Sequence, residues 1–124
     1  MKRESIIRGL AKWAGREITP RLPQFSPQRI GLSTIEMLAM RNPPAAEILA
    51  TTFIGPLVPT LVNAAGQQFD AVADAVVEAV KREGKMTIQL PSGPFGLGDP
   101  VPYSLTETDF ANIVNEIRTQ EASA

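Results

Sequence analysis

The chain has 124 residues, a size for one modest core, and its 12 basic and 13 acidic side chains nearly balance. It contains no Cys and no His, which excludes thiol nucleophiles, disulfides, Cys/His zinc sites and the commonest general base near neutral pH. The charge is polarised, however: residues 1–29 hold seven basic side chains against two acidic ones, and the remainder holds five against eleven. A basic segment on an acidic body predicts that the segment meets something anionic: nucleic acid, lipid headgroups or the acidic body of a neighbouring copy.

Residues 5–16, SIIRGLAKWAGR, predict a short amphipathic helix, with Ile6, Ile7, Leu10, Trp13 and Ala14 on one face and Arg8, Lys12 and Arg16 on the other. Gly9 and Gly15 each lower its intrinsic stability by up to ~1 kcal/mol relative to Ala, and the like charges four residues apart oppose it further. Such a helix needs a packing partner. Pro20, Pro23 and Pro27 in the following TPRLPQFSPQR predict an extended strap. Residues 1–29 are therefore read as a basic N-terminal helix and proline-rich strap, and 30–124 as the helical domain.

Ser33 with Glu36 reads as a capping box, stapled by Leu32 and Met37, and predicts a helix from there to Arg41. Asn42 is the natural N-cap and Pro43 the first residue of the next helix, which carries Ile48, Leu49, Thr52 and Phe53 as far as Gly55-Pro56. Residues 48–69 form a run of 22 without a formal charge, long enough as a helix to cross a hydrocarbon layer of ~30 Å. Only 12 of the 22 are apolar, and Gly55-Pro56 and Pro59 would leave backbone groups unpaired near the bilayer centre. The segment is accordingly read as a helix–kink–helix joint buried in a core or subunit interface, with a single span at 45–66 as the alternative.

After Pro59, the spacing of Val62, Ala65, Phe69, Val72, Val76 and Val80 predicts one helix continuing to Glu83, with Gly84 terminating it. Met86, Ile88 and Leu90 alternate with Thr87 and Gln89, which predicts a short strand near 86–90. Its mate is either a segment near 101–103 or a strand of another chain. A Pro/Gly-rich loop fills 91–102. Thr106 with Asp109, and Leu105 with Phe110, then open a last helix whose apolar stripe is Phe110, Ile113, Val114 and Ile117. The expected fold is mainly α: a small helical domain of four to five helices with a basic N-terminal arm, one short strand and the loop.

No motif names a reaction. GPFGLG at 93–98 lacks the order of a phosphate-binding loop, and Pro94 has no N–H to offer. Asp70, Asp74 and Glu78 stand at i, i+4 spacing, but no facing acidic helix would complete a metal site, so a solvated face with Glu78–Arg82 pairing is expected. Glu47 is read as an acid near the start of its helix. Serines occur without a GxSxG or SxxK pattern. The expectation is a non-enzymatic protein with no cofactor, no metal and no small-molecule substrate.

The leading functional expectation is a structural or adaptor subunit of a larger assembly, such as a phage or virion particle or a secretion complex, acting through protein–protein contacts. Its partner-binding candidates are Arg8, Lys12, Trp13, Arg16 and Arg21 in the basic segment, and Phe95, Leu97 and Tyr103 in the loop. Trp13 has a second reading, in which its stripe packs onto the domain core and only the charges meet solvent. The alternatives are a membrane-associated protein, through the N-terminal amphipathic helix or the 45–66 span, and a nucleic-acid-binding accessory protein through residues 2–29. The expected location is cytoplasmic or within a large assembly, with membrane association as the variant.

Overall fold

The computed structural model describes residues 1–54, 57–66, 68–90 and 101–123, and the side chains at 52–54 and 57 lie outside that description. The chain is mainly α-helical. Its helices are α1 (Arg3–Glu17), α2 (Pro27–Arg41), α3 (Pro43–Ile54), α4 (Leu57–Val62), α5 (Phe69–Glu83) and α6 (Glu107–Ala122), with a 3₁₀ turn at Thr19–Arg21 after α1. Strands β1 (Met86–Leu90) and β2 (Val101–Leu105) pair antiparallel between α5 and α6.

α1 is the centre of the molecule. It packs on α6 and α2 and also touches α3 and α4. Ile6, Ile7, Leu10, Ala11, Trp13 and Ala14 are buried together with Ile35, Leu61, Phe110 and Ile117 in one core. Burial extends to Ser5 and Gly9, so α1 is covered on nearly every side except the strip bearing Arg8, Lys12 and Arg16. A helix covered this widely needs small residues where neighbours come closest. Gly9 is one: it lies directly against Ile117 of α6. The residue that weakens α1 in isolation is the one that lets it pack. Of the readings open for the N-terminal helix, the structure shows the one in which the Trp13 stripe joins the core.

The proline-rich stretch after α1 is shorter than a strap. Pro20 sits in the 3₁₀ turn, and Ser26 caps α2 by accepting from the Arg29 N–H at 3.2 Å, with Pro27 at the first helical position. Proline suits that position because its missing N–H has no partner there anyway. The helix expected to begin at Ser33 thus begins two turns earlier, and Ser33 and Glu36 lie in its interior rather than in a capping box. Asn42 caps α3 as expected, accepting from the Ala45 N–H at 3.4 Å.

The uncharged run contains the later part of α3 and all of α4, the expected joint at Gly55-Pro56 lies outside the described residues, and Ala50, Val58, Leu61 and Val62 are core residues. Among the described residues no helix is long and apolar enough to cross a membrane. The single helix expected from Pro59 to Glu83 is instead two. α4 ends at Val62, the chain turns through 63–66, and Gly66 takes a left-handed φ of +97°. Gly66 exchanges backbone hydrogen bonds with Met1: its N–H donates to the Met1 carbonyl at 2.7 Å, and the Met1 amino group donates to its carbonyl at 3.3 Å. The turn therefore anchors the chain just before α1.

Gly84 ends α5 with φ +82°, and Thr106 and Asp109 form the expected capping box of α6. Leu105 and Phe110 flank that cap, both fully buried. The mate of β1 lies in the same chain, with Ile88 opposite Tyr103 and Leu90 opposite Val101. The expected loop at 91–102 yields Val101 and Pro102 to β2, and its remainder, 91–100, lies outside the described residues.

Candidate interaction surface

Three cations of the basic segment, Arg3, Lys12 and Arg16, find anions within the chain. Arg16 reaches Glu116 of α6 at 3.0 Å and Glu17 at 3.1 Å, and Lys12 approaches Glu116 at 4.0 Å. The hydrogen bond Arg16 donates to Glu116, then the one it donates to Glu17, raises the pKa of its guanidinium above the ordinary value. Arg3 pairs with Glu47 of α3, and Lys2 donates its backbone N–H to Glu121 at 3.0 Å. Arg8 donates to the Ala39 carbonyl at 3.1 Å, one of the last four carbonyls of α2, which lack helical partners. For Arg3, Lys12 and Arg16, then, the complementary acids lie in the same chain.

Trp13 is buried at 2 % exposure, so it presents no ring at the surface. Its indole Nε1 has no hydrogen-bond partner among the described residues. Arg21 and Tyr103 meet each other, the guanidinium donating to the phenol oxygen at 2.9 Å and tying the 3₁₀ turn to β2. Phe95 and Leu97 lie outside the described residues. On α5, Asp70 pairs with Arg118 at 2.8 Å and Glu78 with Lys81 at 3.6 Å rather than with Arg82. No group of three or more Asp or Glu among the described residues is arranged to hold a metal ion.

The surface that sequence reasoning missed is the outward side of α2. Gly31, Leu32, Ile35 and Ala39 face the core. At ~100° per residue, Ile30, Met37 and Met40 fall on the opposite side, separated by intervals of seven and three. Their exposures are 44 %, 51 % and 65 %, and Phe25, just before the cap, is 84 % exposed. An ordinary surface helix has one apolar stripe, and α2 has two. The second stripe was hidden because a helix starting at Ser33 leaves Ile30 outside it. The Ser26-Pro27 pair was the signal that would have found it.

Basic groups border this stripe. Arg29 and Arg41 belong to α2 itself, while Arg8 and Lys12 of α1 line a cleft of about 180 Å³ with Met40, Glu36 and Gln120. Arg29 is held by a hydrogen bond to the Leu22 carbonyl at 3.2 Å. Glu36 is the carboxylate at this margin, and it occupies the space where a side chain on Gly15 would stand. Elsewhere, a groove of about 440 Å³ between the end of α5 and β1 brings Glu83 and Lys85 beside Met86 and Val80. Comparisons with family models, curated proteins and solved structures found no match for this chain.

Proposed function

We propose that this protein is a non-enzymatic structural or adaptor subunit of a larger assembly, working through protein–protein contacts, and that the outward face of α2 is a contact surface. The observation that carries the reading is the second apolar stripe: Ile30, Met37 and Met40 stand in solvent on a helix whose other side already fills the core. Large apolar side chains gathered on one exposed face mark interaction sites more often than singly scattered ones do. Methionines suit such a face because their unbranched, polarisable chains adapt to a partner.

The reading predicts that the chain, drawn gently from the cells that make it, has a mass well above its own 13.4 kDa in size exclusion with light scattering. The double variant Ile30→Glu/Met37→Glu should fall to the monomer mass with its thermal midpoint kept. A wild-type chain already at the monomer mass, or a variant that keeps the larger mass, contradicts the proposal.

A further inference from the structure

The charges and shape around α2 identify the chemistry of what binds there, on the premise that this face is a contact surface as proposed above. The stripe from Ile30 to Met40 runs about 15 Å along α2, or roughly three helical turns. Arg29 and Arg41 on α2 and Arg8 across the cleft border it, with Lys12 beside Arg8 shared with Glu116, and Glu36 is the carboxylate on this side among the described residues. We infer that the outward face of α2 takes an acidic amphipathic helix of a partner protein. Its apolar ridge would lie on Ile30, Met37 and Met40, and its carboxylates would face Arg29, Arg41 and the Arg8–Lys12 cleft.

Two other occupants fit less well. A second copy would bring either α2 against α2, which gathers like charges, or α5 against α2. On α5 Asp70 and Glu78 are already paired with Arg118 and Lys81, and although Asp74 and Glu83 add charge, no large apolar side chain of α5 among the described residues is exposed to lie on the stripe. A lipid surface is favoured by a helix that can sink its apolar face about 5–10 Å into the headgroup boundary. α2 is held from behind by α1, α3 and β1, and exposed Ser33 lies within the stripe. The cleft beside Met40 is also concave, a shape that a projecting side chain fills and a flat bilayer does not. Helix-on-helix docking uses such ridges and clefts directly.

The test uses the full chain and a labelled synthetic peptide of about five helical turns, with Leu on one face and Glu on the others. Its counterpart carries Lys in place of Glu, and phosphatidylserine vesicles supply the lipid arm. Fluorescence anisotropy should show the Glu peptide binding at least about tenfold more tightly than the Lys peptide, with affinity falling as salt rises. Met37→Glu and, separately, Arg41→Glu should each weaken the Glu peptide about tenfold while the thermal midpoint holds. Equal binding of the two peptides, binding untouched by both substitutions, or binding to vesicles alone would overturn the inference. The contact-surface reading fails separately, on a native chain at the monomer mass, so the two failures are distinguishable.

Discussion

Gly9 of α1 and Ile117 of α6 are so close that a β-carbon placed on Gly9 would lie 2.5 Å from the Ile117 Cγ1 and 2.6 Å from its Cα. The second of these atoms is backbone and cannot turn aside. Gly9→Ala should therefore force α1 and α6 apart and destabilise the protein by about 1–3 kcal/mol, despite the better helix propensity of Ala. Gly15 is the control on the same helix, since a β-carbon there meets only the carboxylate end of Glu36, 2.2 Å from its Oε2. That side chain can swing away, so Gly15→Ala should leave stability unchanged or raise it by up to about 1 kcal/mol. Urea unfolding of both variants separates the two effects.

Glu116 joins two of the three cations on the open strip of α1 to α6, and its side chain is only 11 % exposed. Glu116→Gln should cost about 0.5–1 kcal/mol, because the carboxylate is largely buried while solvent screens its pair with the half-exposed Arg16. The loss should shrink at high salt, where the remaining repulsion between Lys12 and Arg16 is screened. Denaturation at two ionic strengths measures both.

Glu121 has its pKa lowered from the ordinary 4.5, first by a side-chain hydrogen bond with Ser5 and next by the Lys2 backbone N–H. A carboxylate with a lowered folded pKa contributes stability that is present above its unfolded pKa. That contribution is lost as the pH falls through the lower folded value. Thermal midpoints of wild type and Glu121→Gln should thus differ at pH 7 and converge in acid below about pH 4.5. Ser5→Ala should reduce the difference at pH 7.

Trp13 offers a test of an unsatisfied donor. A buried polar group without a partner costs about 1–3 kcal/mol, and the indole N–H of Trp13 has none among the described residues. Trp13→Phe removes that donor while keeping an aromatic ring, so the cavity left behind is offset, and stability should change by no more than about 1 kcal/mol. Trp13→Ala, which empties the site, should cost about 3–5 kcal/mol. Calorimetry distinguishes these outcomes.

Much of the fold was legible because its signals are local. Thr106 with Asp109, Asn42 with Pro43, and Gly84 each mark a helix end through the chemistry of a single cap, and each stands where the sequence places it. The strand at 86–90 alternates as read, and its mate was one of the two expected. What misled was a choice between competing local signals. Ser33-Glu36 and Ser26-Pro27 both fit helix starts, and the core side of α2, from Gly31 to Ala39, needs the longer helix. The apolar spacing after Pro59 also bridges a real break, since periodicity does not register the backbone reversal that Gly66 makes.

The candidate site was less legible, because charge polarity does not say in which molecule the complement lies. Lys12 and Arg16 find it in Glu116, a hundred or so positions away in sequence and adjacent only in the folded chain. The α2 stripe, by contrast, is visible in sequence once the helix is begun at Pro27, from the spacing of Ile30, Met37 and Met40 alone.

The proposal that the outward face of α2 contacts a partner protein is tested most directly by photo-methionine, which places a cross-linker at native positions without redesigning the surface. The chain has 4 methionines; Met37 and Met40 are exposed on α2, whereas Met1 and Met86 are partly buried. Illumination in the producing cells, followed by peptide mapping, should find protein adducts concentrated at Met37 and Met40 and absent from the Ile30→Glu variant. Adducts absent from both positions, or unchanged by Ile30→Glu, would contradict it.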